Sequence, residues 1–177
     1  MTAQPGFIQV YTGSGKGKTT AALGLALRAA GWGMKTYIAQ FLKKGESGEL
    51  LAVGRHLTEF IFIEQFGTGD FHLPGKRVRP EEREGALRGL AAAREAMIGG
   101  AYRVVILDEI NTVLHFKILD LEPVLAVLAE KPAAVELILT GRSAPKAVRE
   151  KADLITEMRE IRHYYAKGQP ARKGIER

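Results

Sequence analysis

Residues 7–31, FIQVYTGSGKGKTTAALGLALRAAG, constrain the fold more than any other part of the chain. FIQVYT (7–12) is a short apolar strand. KTTAALGLALRAAG (18–31) is rich in Ala and Leu and stops at Gly31, with Gly33 close behind, as a helix does. The turn between them carries glycines at 13, 15 and 17. A strand that enters a helix through such a turn matches the phosphate-binding loop (P-loop) pattern G-x-x-x-x-G-K-[ST] at every position but one. Counting back from Gly17-Lys18-Thr19, the first glycine falls at position 12, which is Thr12. Threonine costs little there if its backbone is extended, and Gly13 and Gly15 supply the freedom instead.

The composition of the loop is explained by its chemistry. Glycines let backbone N–H groups turn inward as an anion nest, and the N-terminus of the following helix adds positive partial charge. Lys18 places a point charge on the phosphates, and Thr19 offers a hydroxyl to Mg²⁺. The candidate phosphate-binding residues are Gly13, Ser14, Gly15, Lys16, Gly17, Lys18, Thr19 and Thr20.

The rest of the chain alternates strands and helices. KTYIAQF (35–41), EFIFIEQFG (59–67), YRVVILDE (102–109), VELILTGR (135–142) and LITEMREIRH (154–163) read as strands. Pro80-Glu81-Glu82 opens a helix to about Ile98, with Ala86, Leu90, Ala93 and Met97 on one face. Asp120 can cap LEPVLAVLAEK, APKAVREKA is a short helix, and LKKGESGELLAVGRHLT is part loop and part helix. The tail after Gly168 reads as irregular. Apolar strands without alternation, separated by helices, predict one α/β domain over 1–177: a mostly parallel sheet of about six strands with helices on both faces.

VVILDE (104–109) supplies a second motif. A hydrophobic strand ending in acid resembles the Walker B element, which holds Mg²⁺ directly or through water. Asp108 and Glu109 are both candidates, and spacing does not choose between them. Arg142 leaves the end of another strand, where open α/β sheets bind ligands, and either clamps phosphate or pairs with a nearby carboxylate. The net charge is +6, and residues 157–177 carry half of it. That balance suits a nucleotide and also leaves nucleic acid open. The chain has no cysteine, so disulfides and thiolate metal sites are excluded and a cytoplasmic home fits. No apolar run is long enough to span a bilayer, and no secretory signal is visible. The four histidines, at 56, 72, 115 and 163, lack metal-ligand spacing.

Taken together, YTGSGKGKTTAALGLALRAAGWGMK, QFLKKGESGE, GTGDF, VVILDEIN, ILTGR and ADLITEMREIRHYYAKGQPARKGIE resemble the P-loop type of ATP:corrinoid adenosyltransferase, from about Phe7 to Glu176. The resemblance implies a RecA-like P-loop NTPase fold, usually dimeric. It implies transfer of the 5′-deoxyadenosyl group of ATP to Co(I) of a corrinoid with release of triphosphate. ATP in this family is bound reversed relative to other P-loop proteins. Lys18 and Glu109 would be catalytic, Thr19, Asp108 and Glu109 would hold Mg²⁺, and Arg142 would join the loop in binding ATP. Relatives place aromatic residues after a G-T-G turn to displace the lower axial ligand of cobalt, which eases reduction. Here Phe71, with His72, would take that role on the corrinoid, although Asp70 and His72 stand where relatives often carry aromatics. Many relatives carry an N-terminal helical extension over the site, whereas six residues precede the first strand here, so either the lid is supplied differently or corrinoid binding is weaker or more open. An electron donor for the cobalt and a homodimer are implied; membrane and nucleic-acid partners are not expected. The competing readings are a phosphoryl-transfer enzyme, with Glu109 activating water or substrate, and a basic nucleic-acid-binding module using Arg172, Lys173 and Arg177.

Overall fold

The computed structural model describes residues 4–69 and 77–176. Its framework is a six-stranded sheet in the order β3-β2-β4-β5-β1-β6, and every pairing is parallel. The strands are β1 (Ile8–Thr12), β2 (Thr36–Gln40), β3 (Ile61–Gln65), β4 (Val104–Asp108), β5 (Glu136–Thr140) and β6 (Leu154–Glu157). The helices are α1 (Lys18–Ala30), α2 (Gly48–His56), α3 (Pro80–Ile98), α4 (Ile110–His115), α5 (Leu121–Ala129) and α6 (Lys146–Lys151). All residues of β2 and β4 are buried, as central strands covered on both faces must be.

Each strand sends alternate side chains to opposite faces, and each face has its own helices. Tyr11, Ile38, Val104, Ile106 and Ile138 pack with α1 and with Val53 of α2. Val10, Tyr37, Ala39, Val105, Leu107 and Leu139 pack with residues of α3, α4, α5 and α6. The buried face of α1 is Ala22, Ala26, Ala29 and Ala30 beyond Lys18. Small side chains at that helical spacing seat α1 low on the sheet, which brings its N-terminus to the strand tips. The predicted face of α3 is buried at Ala86, Leu90, Ala93 and Met97.

Three local readings change. The strand expected over 154–163 ends at Glu157, and residues 158–160 leave the sheet to lie against the P-loop. Asp120 stands at the N-terminus of α5 without capping it through its side chain; it receives Arg83 at 2.7 Å instead. Helix α4, directly after β4, has no counterpart among the predicted elements. No helix among the described residues is long and apolar enough to cross a membrane.

Candidate active site

The C-terminal tips of β1, β2, β4 and β5 converge on one end of the sheet, where open α/β folds bind ligands. Thr12 is the last residue of β1, so its backbone is extended and the missing glycine is no obstacle. Its hydroxyl also accepts the Ala144 N–H at 3.1 Å, which ties the turn after β5 to the loop. Gly13 and Gly17 then take φ of 99° and 116°, conformations open to glycine and rarely to other residues. A Cβ at Gly13 would overlap the Met158 carbonyl, and one at Gly15 would lie 2.8 Å from Arg159. The loop is thus backed by the chain leaving β6. Met158 N–H donates to the Thr12 carbonyl at 2.8 Å, and Gly15 N–H donates to the Met158 carbonyl at 2.7 Å. The Gly15 amide therefore faces protein and leaves the nest to its neighbours. Ser14 Oγ accepts the Glu160 N–H at 3.3 Å.

Lys18 is buried, and its ammonium bridges the carbonyls of Gly13 and Gly15 at 2.9 and 2.7 Å. Burial lowers its pKa and the charge of Arg142 adds to that, while Glu109 and Asp108 oppose both. The charge sits inside the arc of the loop, facing a cavity of ≈ 600 Å³ lined by residues 14–20 together with Lys43, Glu49, Glu109 and Arg142.

The two acids of β4 are placed quite differently. Asp108 is 1% exposed and accepts four donors. Its Oδ1 takes the hydroxyls of Thr19 and Thr140, each at 2.7 Å. Its Oδ2 takes Gln40 Nε2 at 3.2 Å and Lys43 Nζ at 3.1 Å. Because Thr19 donates its proton to Asp108, its oxygen lone pairs are turned toward the cavity. Glu109 has φ 70°, a left-handed conformation at the start of α4. The Thr140 hydroxyl holds it there by accepting the Glu109 N–H at 2.9 Å. Glu109 lines the cavity, and its carboxylate accepts a hydrogen bond from the Thr112 hydroxyl. Thr112 Oγ1 in turn accepts the Arg142 N–H at 3.0 Å. Glu109 is thus the acid of the pair that lines the cavity, and Asp108 is the buried one that holds the Thr19 hydroxyl.

Lys43 and Glu49 line the same cavity; they fall in QFLKKGESGE, one of the stretches that carry the family resemblance, but the resemblance assigns neither a role there. The Lys43 ammonium lies 3.1 Å from Asp108 and 3.2 Å from Glu49. Burial lowers its pKa, but the two carboxylates outweigh that and raise it above the ordinary lysine value. Burial raises the pKa of Glu49, and Lys43 with the hydrogen bonds it receives brings it below the usual carboxylate range. Gln40 Nε2 bridges the same two acids, and Gln65 Nε2 donates to Gln40 Oε1 at 3.0 Å. Besides that resemblance, the sequence signal is Gln40, a polar residue closing an apolar strand.

Among the remaining predicted residues, Lys16 and Thr20 are exposed at the cavity rim. The guanidinium of Arg142 is exposed and has no ion pair among the described residues; it lines the first cavity and a second of ≈ 770 Å³. Phe71 and His72 lie outside the described residues. His115 lines the second cavity and His163 the first. Among the described residues no cluster of three His, Asp or Glu could hold a metal ion unaided.

Residues 4–177 match the family described as ATP:corrinoid adenosyltransferase BtuR/CobO/CobP. The chain belongs to that family. It is 34% identical over 171 residues to the corrinoid adenosyltransferase of Pseudomonas aeruginosa, covering 97% of this chain and 83% of that protein. It is 33% identical over 172 residues to the corrinoid adenosyltransferase of Escherichia coli K12, covering 97% and 85%. A Nostoc protein of uncharacterized function is 37% identical, covering 89% of this chain, which spans only 45% of that protein. Among solved structures, the RadB recombinase superposes with a TM-score of 0.56 at 20% identity, covering 90% of this chain and 77% of that one. A KaiC-like protein from Pyrococcus horikoshii OT3 gives 0.56 at 18% identity, covering 89% and 75%. For this corrinoid adenosyltransferase family member, those two likenesses speak to the RecA-like P-loop fold alone.

Proposed function

We propose that the chain transfers the 5′-deoxyadenosyl group of ATP to Co(I) of a corrinoid and releases inorganic triphosphate. The observation that carries the reading is the pairing of a P-loop, with Lys18 inside its arc, with a cavity-lining Glu109 and an Asp108 that holds the Thr19 hydroxyl. Family membership selects the reaction among those such a site could run. The electron pair of Co(I) forms the Co–C bond at the 5′-carbon. The C–O bond breaks, and its electrons leave on the triphosphate. No general base is required, since the nucleophile is the cobalt itself.

The residues then have defined work. Lys18 and the loop amides stabilise charge that grows on the leaving triphosphate, so they act more strongly on the transition state than on bound ATP. Arg142, exposed and without an ion pair among the described residues, is available to the same oxygens. The donor set fits Mg²⁺, which takes one or two carboxylates and completes its shell with substrate phosphates and water. Thr19 and Glu109 would hold it, with Asp108 behind Thr19; when bound it would add positive charge at the triphosphate. Phe71 and His72 are assigned to the corrinoid, an external electron donor to cobalt reduction, and a homodimer to the working assembly.

Anaerobic incubation with MgATP and chemically reduced cobalamin tests this. The spectrum should convert to that of an alkylcobalamin, with one triphosphate formed per corrinoid consumed. Orthophosphate release with an unchanged corrinoid spectrum would overturn the proposal and favour phosphoryl transfer.

A further inference from the structure

The tail beyond β6 is folded back on itself around one carboxylate. Glu176 accepts the Arg172 guanidinium twice, Nη2 to Oε1 at 2.9 Å and Nε to Oε2 at 3.2 Å. It also accepts the Arg172 backbone N–H at 2.8 Å and the hydroxyl of Tyr164. The Arg172 guanidinium lies 5.0 Å from the centre of the Tyr164 ring, completing the knot with a cation–π contact. Four donors on one carboxylate hold it ionised, well below the usual range at about 2, with the Arg172 hydrogen bonds the largest cause. The Glu176 side chain is 12% exposed in a segment that is otherwise largely open to solvent.

The position of this knot is informative. Met158 is fixed to the P-loop backbone at Thr12 and Gly15, and the Glu160 N–H to the Ser14 hydroxyl. From there the chain passes His163 and a short 3₁₀ turn, Tyr164–Lys167, before returning. Glu160, His163, Gly174, Ile175 and Glu176 thereby form a wall of the same cavity that holds Lys18 and Thr19. Ile175 is 57% exposed although it lies beside the nucleotide cavity. Glu176 is saturated by its partners, and its neighbour Ile175 is the apolar side chain that this wall offers to a ligand.

We infer that residues 160–176 are part of the nucleotide site, with Ile175 in contact with bound ATP and Glu176 the positioning residue that holds Ile175 against the cavity. The inference rests on reading this cavity as an ATP site. An apolar side chain closing one wall over a charged ligand excludes water and strengthens the interactions beneath it. Loop and wall share one backbone seam, so the wall moves with the phosphates it covers.

Binding of MgATP, measured directly by calorimetry on the full chain, tests the inference apart from catalysis. Ile175→Ala should weaken binding about tenfold, the scale of removing part of one buried apolar side chain from contact. Glu176→Gln should weaken it similarly and raise the KM for ATP while changing kcat less than about twofold, since the wall contacts substrate and transition state alike. In the unaltered protein, MgATP should slow tryptic cleavage after Lys167 and Lys173 by about tenfold, because an occupied site holds the wall shut. If the parent binds MgATP but both variants bind it equally well, or if MgATP leaves tail cleavage unchanged, the inference is overturned. If the parent does not bind MgATP at all, the reading of the cavity fails first and the inference with it. The protease measurement needs no variant, so a substitution that impairs folding leaves the test decisive.

Discussion

Exchanging the two adjacent acids for their amides should give two different proteins. In Asp108→Asn one acceptor oxygen becomes an NH₂ donor at a group that is 1% exposed and receives four donors. Lys43 can only donate, and Gln40 presents its NH₂ here while its oxygen accepts from Gln65, so the remaining oxygen faces these two and the NH₂ faces Thr19 and Thr140. Both hydroxyls then have to accept, and the Thr19 proton is pushed toward the metal position. Four charge-assisted hydrogen bonds become neutral ones or rearrange. At about 0.5–1 kcal/mol each, and discounting the Lys43 contribution because its side chain is 33% exposed and keeps Glu49, the loss is about 2–3 kcal/mol. For a domain of this size that lowers the melting temperature by about 5–10 °C. Glu109→Gln keeps an acceptor for Thr112 at a half-exposed position, so stability should stay within about 0.5 kcal/mol of the parent. Its Mg²⁺ requirement for transfer should nonetheless rise, because a negative ligand charge is gone. Thermal melts without nucleotide, followed by Mg²⁺ titrations of transfer, separate the two. An Asp108→Asn protein that melts with the parent, or a Glu109→Gln protein with an unshifted Mg²⁺ titration, would refute the division of labour.

Lys18→Ala should lower transfer by about 10²-fold or more at saturating ATP, the scale for deleting a charge that stabilises a leaving group, and near-parental turnover would sink that role. Gly13→Ala should abolish MgATP binding, since φ 99° and the Met158 carbonyl both reject a side chain; calorimetry showing parental affinity would contradict the close backing of the loop. Phe71→Ala should impair transfer when a weak reductant must generate Co(I) on the protein, and much less when Co(I) is supplied ready-made; equal losses in both assays with a lowered melting temperature would make it a packing residue. The Lys43–Glu49 pair sets a pH window. Glu49 sits below its ordinary value, so its contribution is complete above about 4.5 and lost as pH falls further. Lys43 sits above its ordinary value, so its share persists up to about 10.5 and is lost as pH rises beyond. Denaturant melts should therefore be flat in this respect from pH 5 to 10, and Lys43→Met should change the acid limb.

What the sequence made legible was whatever is built from local pattern. The strand–loop–helix of residues 7–31, the buried face of α3 and the acid-ended strand β4 follow from spacing and turn chemistry, and the structure has them where expected. Helix α4 escaped because INTVLH is six residues of mostly β-branched or apolar type, too short to show a period and launched by a left-handed Glu109. Strand β6 was read too long because apolar and β-branched residues continue to Ile161, while its end is set by the P-loop, more than 140 residues away. Lys43 was invisible beside Lys44 in KKGES, since only tertiary placement of Asp108 distinguishes one from the other. The order of Asp108 and Glu109 in the chain likewise says nothing about which is buried; the left-handed turn between them decides it.

The seam between the P-loop and residues 158–160 also fixes when the protein can begin to hold nucleotide. Strand β1 finds its neighbours in β5 and β6, pairing Ile8 with Leu137 and Gln9 with Leu154. During synthesis a chain emerging at about 5–20 residues per second carries every glycine and lysine of the loop from its first moments, and for several seconds has nothing to set them against. These contacts join residues far apart in the sequence, so they close late and slowly. Competence to bind ATP would therefore arrive abruptly, after β6 has docked. A chain arrested or clipped before residue 158 would circulate without sequestering ATP, which makes nucleotide binding a usable report on whether folding has finished.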